Sequence, residues 1–213
     1  MAFRGWPVEA LEFYEALEAD NSKAFWQRNR ETYDRAVRAP MEALLAELEP
    51  EFGPVHVFRP YRDVRFSADK TPYKTAIGAT VGSGYVQLNA RGLAAGCGMY
   101  EMASDQLERF RAAIDDDVTG AALEDLVDAV RSTGIDLMAP DELKTAPRGY
   151  PKDHPRIELL RMKGLVTWRE WEAGAWLGTR RAKDRIVRFL RDSAPIAAWL
   201  DANVGSSTLP DRR

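Results

Sequence analysis

Ala76-Ile-Gly-Ala-Thr-Val-Gly-Ser-Gly-Tyr-Val-Gln-Leu-Asn-Ala-Arg-Gly-Leu-Ala-Ala-Gly-Cys-Gly-Met-Tyr100 is the stretch whose reading decides the fold. Residues 76–81 and 85–89 are rich in β-branched and aromatic side chains, which suit a pleated, half-buried surface. Gly82-Ser83-Gly84 between them is a hairpin signal, and Asn89-Ala90-Arg91-Gly92 is a second turn. A third strand follows over residues 93–100, where Gly96 and Gly98 flank Cys97. Glycine inside a strand often marks a bulge or a close backbone approach. Strands this close in sequence pair through short turns, so an antiparallel meander is expected. Residues 55–58 read as one more short strand.

Helical patterns lie on both sides. Leu11, Tyr14 and Leu17 recur at helical spacing behind Trp6-Pro7. Asp20-Asn21-Ser22 supplies turn and N-cap chemistry for a helix over residues 23–38. Pro40 should break or kink that helix, and Met41, Leu44, Leu45 and Leu48 continue as a further helical piece ending near Pro50. After the meander, Ser104 is placed to cap a helix that Asp115-Asp116-Asp117 ends, and residues 121–132 form another, closed by Gly134. Residues 136–145 hold a strand or an irregular piece, 157–162 a short helix, and 165–168 a short strand. The last helix starts at Thr179 and is interrupted by Pro195. The expected fold is α+β: a single domain over residues 1–204, with a central antiparallel meander packed with N-terminal and C-terminal helices, and a disordered tail over residues 205–213.

A chain of 213 residues, 45% hydrophobic and 30% charged, has the composition of a globular protein rather than a disordered one. No apolar run approaches the roughly 20 residues of a membrane helix. The N-terminus shows no apolar signal-peptide core. The single cysteine, Cys97, has no partner for an internal disulfide, which fits a cytoplasmic protein.

The net charge of −3 hides an asymmetry. Residues 59–74 carry five cations (Arg59, Arg62, Arg65, Lys70, Lys74) against Asp63 and Asp69, with Tyr61, Phe66 and Tyr73 set among them. Residues 144–163 carry six cations against Asp153 and Glu158, whereas residues 101–142 carry twelve acids against three arginines. An acidic body with two basic segments has a directional field. Pro60 and Pro72 stiffen the first segment into an extended presenter of charge.

Arg62-Asp-Val-Arg-Phe-Ser-Ala-Asp-Lys-Thr-Pro-Tyr-Lys74 resembles the corresponding motif of the DUF2461 family of uncharacterised proteins. The similarity extends to Asn21-Ser-Lys-Ala-Phe-Trp26, where the family tends to read Asn-x-x-x-Trp-Phe and the aromatic pair is swapped here. It includes Tyr33, Pro40, Tyr85, Gly96-x-Gly98 and Pro147-Arg-Gly-Tyr-Pro-Lys-Asp-His-Pro-Arg-Ile-Glu-Leu-Leu160, and covers roughly residues 3–200. It implies one α+β domain. It carries over no activity and no catalytic assignment.

The residues themselves point to an anion site. Arg62, Arg65, Lys70, Tyr73 and Lys74 of the first segment, with Arg148, Lys152 and Arg156 of the loop over residues 147–156, are the candidate ligand-binding residues. Arginine grips phosphate or carboxylate with a planar fork, and lysine adds point charge. The competing account is an internal lattice in which Asp63 and Asp69 hold their neighbours. If the protein is an enzyme, the expected chemistry is metal-independent hydrolysis or transfer at a phosphate, with His154 as acid or base. No HExxH, Cys/His ligand spacing, nucleophile elbow or nucleotide-binding glycine motif is present. The basic helix from Thr179, with Trp168, Trp171 and Trp176 before it, could contact nucleic acid, but a pI near 5.6 weighs against that. The expected partner is a small phosphorylated or carboxylated ligand, with no membrane and no named cofactor. The alternatives are an interaction module that docks an acidic protein or RNA, or a charged motif that only stabilises the fold.

Overall fold

The computed structural model describes residues 2–65 and 67–210. Phe66 and the end of the expected tail, residues 211–213, lie outside the described residues.

The meander is present. β1 (Val55–Val57), β2 (Ala76–Val81), β3 (Gly84–Asn89) and β4 (Gly92–Met99) follow one another, and with β5 (Asp136–Met138) and β6 (Leu165–Glu172) they make one antiparallel sheet of order β1-β2-β3-β4-β6-β5. The helices are α1 (Glu9–Ala19), α2 (Lys23–Thr32), α3 (Ala39–Phe52), α4 (Ser104–Asp115), α5 (Asp117–Ser132), α6 (Ile157–Arg161) and α7 (Arg181–Asn203). The fold is α+β. The chain forms two compact units, Met1–Ala95 with Glu170–Phe189, and Gly96–Arg169 with Leu190–Arg213.

In the first unit, Ile77, Ala79 and Val81 of β2 and Val86 and Leu88 of β3 are buried on one face, where α3 contributes Leu44, Leu45 and Leu48. The register pairs Ile77 with Leu88 and Ala79 with Val86, so the period-2 pattern puts a single apolar face toward the helices. The opposite face carries the pairs Ala76–Asn89, Gly78–Gln87 and Thr80–Tyr85. Gly82 turns the β2–β3 hairpin at φ +54°, and a Cβ there would lie 1.9 Å from the Phe52 carbonyl oxygen. The turn therefore needs glycine on both counts.

Pro40 does not break the helical run. Residues Tyr33–Arg38 are π-helical and pass directly into α3, with Pro40 in its first turn. The widened turn accommodates a residue that has no N–H to give, as π-helical segments do inside longer helices. Pro50 is likewise inside α3.

In the second unit, Phe110 and Ile114 of α4, Leu123, Val127 and Val130 of α5, and Leu160, Val166, Trp199 and Leu200 are buried. Asp116 ends α4 and caps α5, its carboxylate accepting from Val118 and Thr119 N–H at 2.9 and 2.8 Å. Helix α5 therefore begins four residues earlier than spacing suggests. Ala103, not Ser104, occupies the N-cap of α4, and Gln106 Oε1 accepts from its N–H at 3.0 Å. Helix α7 runs through Pro195 to Asn203, because Ile196, Trp199 and Leu200 continue its buried face. Residues 205–209, expected to be disordered, are tied to α4. Asp105 accepts from Ser207 Oγ and Thr208 N–H, both at 2.8 Å, and Gln106 donates to the Gly205 carbonyl at 2.7 Å.

Glu47 of α3 gathers the first unit's chain ends. Its carboxylate accepts from Phe3 N–H at 2.7 Å, Lys183 Nζ at 2.6 Å and Arg180 Nη2 at 3.2 Å. The Lys183 ammonium, and then the Phe3 amide, hold its pKa at about 2 rather than 4.5. A carboxylate whose folded-state pKa is depressed stabilises fully above its unfolded value and loses that contribution as pH falls through the folded one. The wild type should therefore lose stability between pH values of about 4.5 and 2 more steeply than Glu47→Gln. Urea unfolding across that window measures the difference.

Candidate functional site

The basic motif folds back on itself. Arg62 N–H donates to the Pro72 carbonyl at 2.9 Å and Lys74 N–H to the Pro60 carbonyl at 2.8 Å, which brackets a bridge between Tyr61 and Tyr73. In such a bracketed antiparallel pair the two residues exchange no backbone bonds with each other. The N–H and C=O of Tyr73 point outward, and Asn21 meets both. Tyr73 N–H donates to Asn21 Oδ1 at 3.1 Å, and Asn21 Nδ2 donates to the Tyr73 carbonyl at 3.0 Å. The Tyr73 ring stacks on Trp26, centroids 4.3 Å apart and planes 8° from parallel. Tyr33, Tyr61 and Phe13 pack around the same indole.

Much of the motif's charge is spent internally. Arg62 donates to Asp69 and to Thr71, and Asp69 also accepts from Thr71 N–H at 2.9 Å. Arg65 grips Asp63 with Nε at 3.0 Å and Nη2 at 2.7 Å. Lys70 Nζ donates to the Val64 carbonyl at 3.0 Å. The Arg62 side chain, with Thr71 behind it, holds the Asp69 carboxyl at about 2, and Arg65 holds Asp63 at about 2. Both carboxylates thus stay ionised in their pairs. This is the internal lattice weighed as the competing account, and it occupies Arg62, Arg65 and Lys70.

Lys74 is different. It is half-buried, and its ammonium lies 5.3 Å from the centre of the Phe58 ring. Among the described residues it makes no ion pair. It lines a cleft of about 430 Å³ on the open face of β2 and β3. Ala76 and Gly78 leave the floor low, and Tyr85, Gln87 and Asn89 form a wall. A Cβ on Gly78 would lie 2.4 Å from the Tyr85 hydroxyl, so glycine here is what lets that ring lie across the strand. Arg62, Lys74 and Arg91 supply three cations, and no carboxylate is among the lining residues. Asn89 Oδ1 accepts from Arg91 and Gly92 N–H at 2.9 and 3.1 Å, which fixes the turn that carries Arg91. The Tyr73 hydroxyl makes no hydrogen bond among the described residues, and burial, then the neighbouring Tyr61, pushes its pKa up. It is a neutral donor.

Lys74 also lines a second cleft of about 510 Å³, with Tyr33, Arg38, His56, Val57, Phe58, Arg59, Pro60 and Tyr61. Arg38 is paired with Glu42 at 2.8 Å.

The second predicted segment lies in the other unit, and much of it is engaged there. Arg156 is buried and donates to Glu124 at 3.0 Å and to the Ile114 carbonyl at 2.8 Å. His154 Nδ1 accepts from Arg156 N–H at 3.0 Å, which leaves Nε2 to carry the proton toward Asp115 at 3.1 Å. Both ring nitrogens are therefore occupied. Arg148 and Lys152 are exposed and carry no ion pair among the described residues.

Phe58, Tyr85, Gln87, Asn89 and Arg91 are cleft residues that the motif-based reading missed. The alternation of β3 does contain a signal, since Tyr85, Gln87 and Asn89 are the non-core half of the strand. Arg91 lies in a turn outside both basic segments.

The class so defined is an α+β protein with an electropositive cleft on the open face of its meander. The chain belongs to the DUF2461 family, whose model, described as a conserved hypothetical protein, matches residues 9–199. No curated protein and no solved structure matches the chain. Among the described residues, no helix is long and apolar enough to cross a membrane.

Asn21→Ala should cost about 1–3 kcal/mol, because it leaves the Tyr73 N–H and C=O unpaired in a partly buried place. Denaturant unfolding checks the magnitude. Native-state hydrogen exchange should show the Arg62 and Lys74 amides losing protection.

Proposed function

We propose that the protein binds a small phosphorylated or carboxylated molecule in the cleft over β2 and β3, with Lys74 as the charge anchor. The observation that carries this reading is a half-buried lysine, Lys74, that makes no ion pair among the described residues, in a cleft whose described lining adds two further cations and no acid. An anionic ligand would supply the charge partner that Lys74 lacks among the described residues. Arg91 adds an exposed cation, Gln87 and Asn89 add amide donors, and Tyr73 adds a hydroxyl with no partner among the described residues. Arg65 and Lys70 keep the loop in shape, and Arg62 does both, facing the cleft while holding Asp69. Of the second loop, Arg148 and Lys152 remain candidate anion contacts of their own unit and do not line this cleft, and His154 and Arg156 are engaged within that unit. A buried Cys97 and the absence of a spanning helix among the described residues support a cytoplasmic setting.

Lys74→Gln tests the proposal with inorganic phosphate as the probe. A charge-assisted contact is worth about 1.5–3 kcal/mol, so affinity should fall by roughly 10- to 100-fold by calorimetry. Stability should stay within about 0.5 kcal/mol, since no ion pair is broken. Equal phosphate affinity in variant and wild type would remove Lys74 from the site and with it the proposal.

A further inference from the structure

The two clefts that meet at Lys74 differ in character, and the difference bears on the ligand. Both clefts carry cations and rings, in different proportion. The sheet-face cleft sets Lys74, Arg62 and Arg91 among amides beside Phe58, Tyr73 and Tyr85. The second is the more apolar, with Tyr33, Tyr61, Phe58 and His56 around Pro60 and Val57, next to Arg59 and to Arg38, which Glu42 pairs. Its volume of about 510 Å³ falls within the roughly 300–1,000 Å³ of small-molecule sites. Phe58 and Lys74 line both clefts, so one ligand could reach from one into the other past the same two side chains.

The aromatic walls are rigid. Tyr33 is held by Phe13 and Trp26, with centroids 5.5 and 4.8 Å away. Tyr61 rests on Trp26 and Tyr73 at 6.1 and 5.4 Å, yet is 45% exposed, one of few large apolar side chains left in water. An exposed ring fixed from behind and facing a concavity is a stacking surface. Tyr33 is only 3% exposed, and its hydroxyl makes no hydrogen bond among the described residues. Burial raises its pKa to about 12, so it remains a neutral donor. A hydroxyl that reaches a cleft from a buried ring and bonds to no described residue leaves a place for a ligand acceptor.

We infer that the two clefts form one bipartite site for an organic phosphate carrying a planar ring. The phosphate lies among Lys74, Arg62 and Arg91, and the ring stacks on Tyr61 within reach of the Tyr33 hydroxyl. This rests on the anion-binding reading above and adds the second half of the ligand.

Calorimetry on the full chain with methyl phosphate and phenyl phosphate separates the two claims. Phenyl phosphate should bind at least about tenfold more tightly than methyl phosphate, in line with the roughly 1–3 kcal/mol of a ring stacked on an aromatic side chain. Tyr61→Ala should bring that ratio close to one while leaving methyl phosphate affinity unchanged. Lys74→Gln should weaken both ligands and preserve the ratio. Equal binding of the two phosphates by the wild type, or a ratio that survives Tyr61→Ala, overturns the bipartite site and leaves the anion site standing. Binding of neither phosphate overturns both.

Discussion

Tyr73 sits in a strand-like segment whose outer neighbour is a single side chain. Every backbone N–H and C=O withdrawn from water needs a partner, and the loop between β1 and β2 has no full strand to supply one. Two bonds, Arg62 to Pro72 and Lys74 to Pro60, close its inner side, and the amide of Asn21 closes its outer side. Asn21 can do so because a carboxamide offers one donor and one acceptor, as a peptide unit does. The stack of Trp26 on Tyr73 comes from the same helix that Ser22 caps, with Ser22 Oγ accepting from Phe25 N–H at 3.1 Å. A turn, a cap and a stacked ring thus fix the backbone from which Lys74 projects into the cleft.

That dependence explains which parts of the molecule were legible. The β2–β3–β4 meander could be read because its information is local: alternating side chains, glycine turns and short connections. The partner of Asn21 could not, because the bond spans 52 residues. The two interior prolines misled for a related reason. Local rules count the missing N–H of Pro40 and Pro195, but not the burial that keeps Met41, Leu44 and Leu45, or Ile196, Trp199 and Leu200, on a continuous inner face. Asp116 was read as an end and is also a beginning, since one carboxylate terminates a helix and caps the next.

Charge was the least legible property. Five cations and two acids in residues 59–74 look the same whether they form a lattice or a site. Geometry separates them: Arg62 and Arg65 find Asp69 and Asp63, Lys70 finds a carbonyl, and Lys74 finds, among the described residues, only the face of Phe58. The cation that matters for the proposed site is thus the one the lattice does not use. Arg91, which joins it in the cleft, is an isolated residue in a turn and adds nothing to either basic segment.

Three polar groups in the aromatic cluster around Trp26 have no protein partner among the described residues. Trp26 Nε1 is buried without a hydrogen-bond partner, and the Tyr33 and Tyr73 hydroxyls have none among the described residues. All three belong to one aromatic cluster, with Trp26 in contact with both tyrosine rings. An unmade hydrogen bond at a buried donor costs more than a made one contributes, and of these three groups only Trp26 Nε1 is itself a buried donor, whereas the two hydroxyls border the clefts. Under the proposed reading, the Tyr73 and Tyr33 hydroxyls, which border the clefts that Lys74 lines and have no partner among the described residues, are the donors left for acceptors that arrive with the ligand.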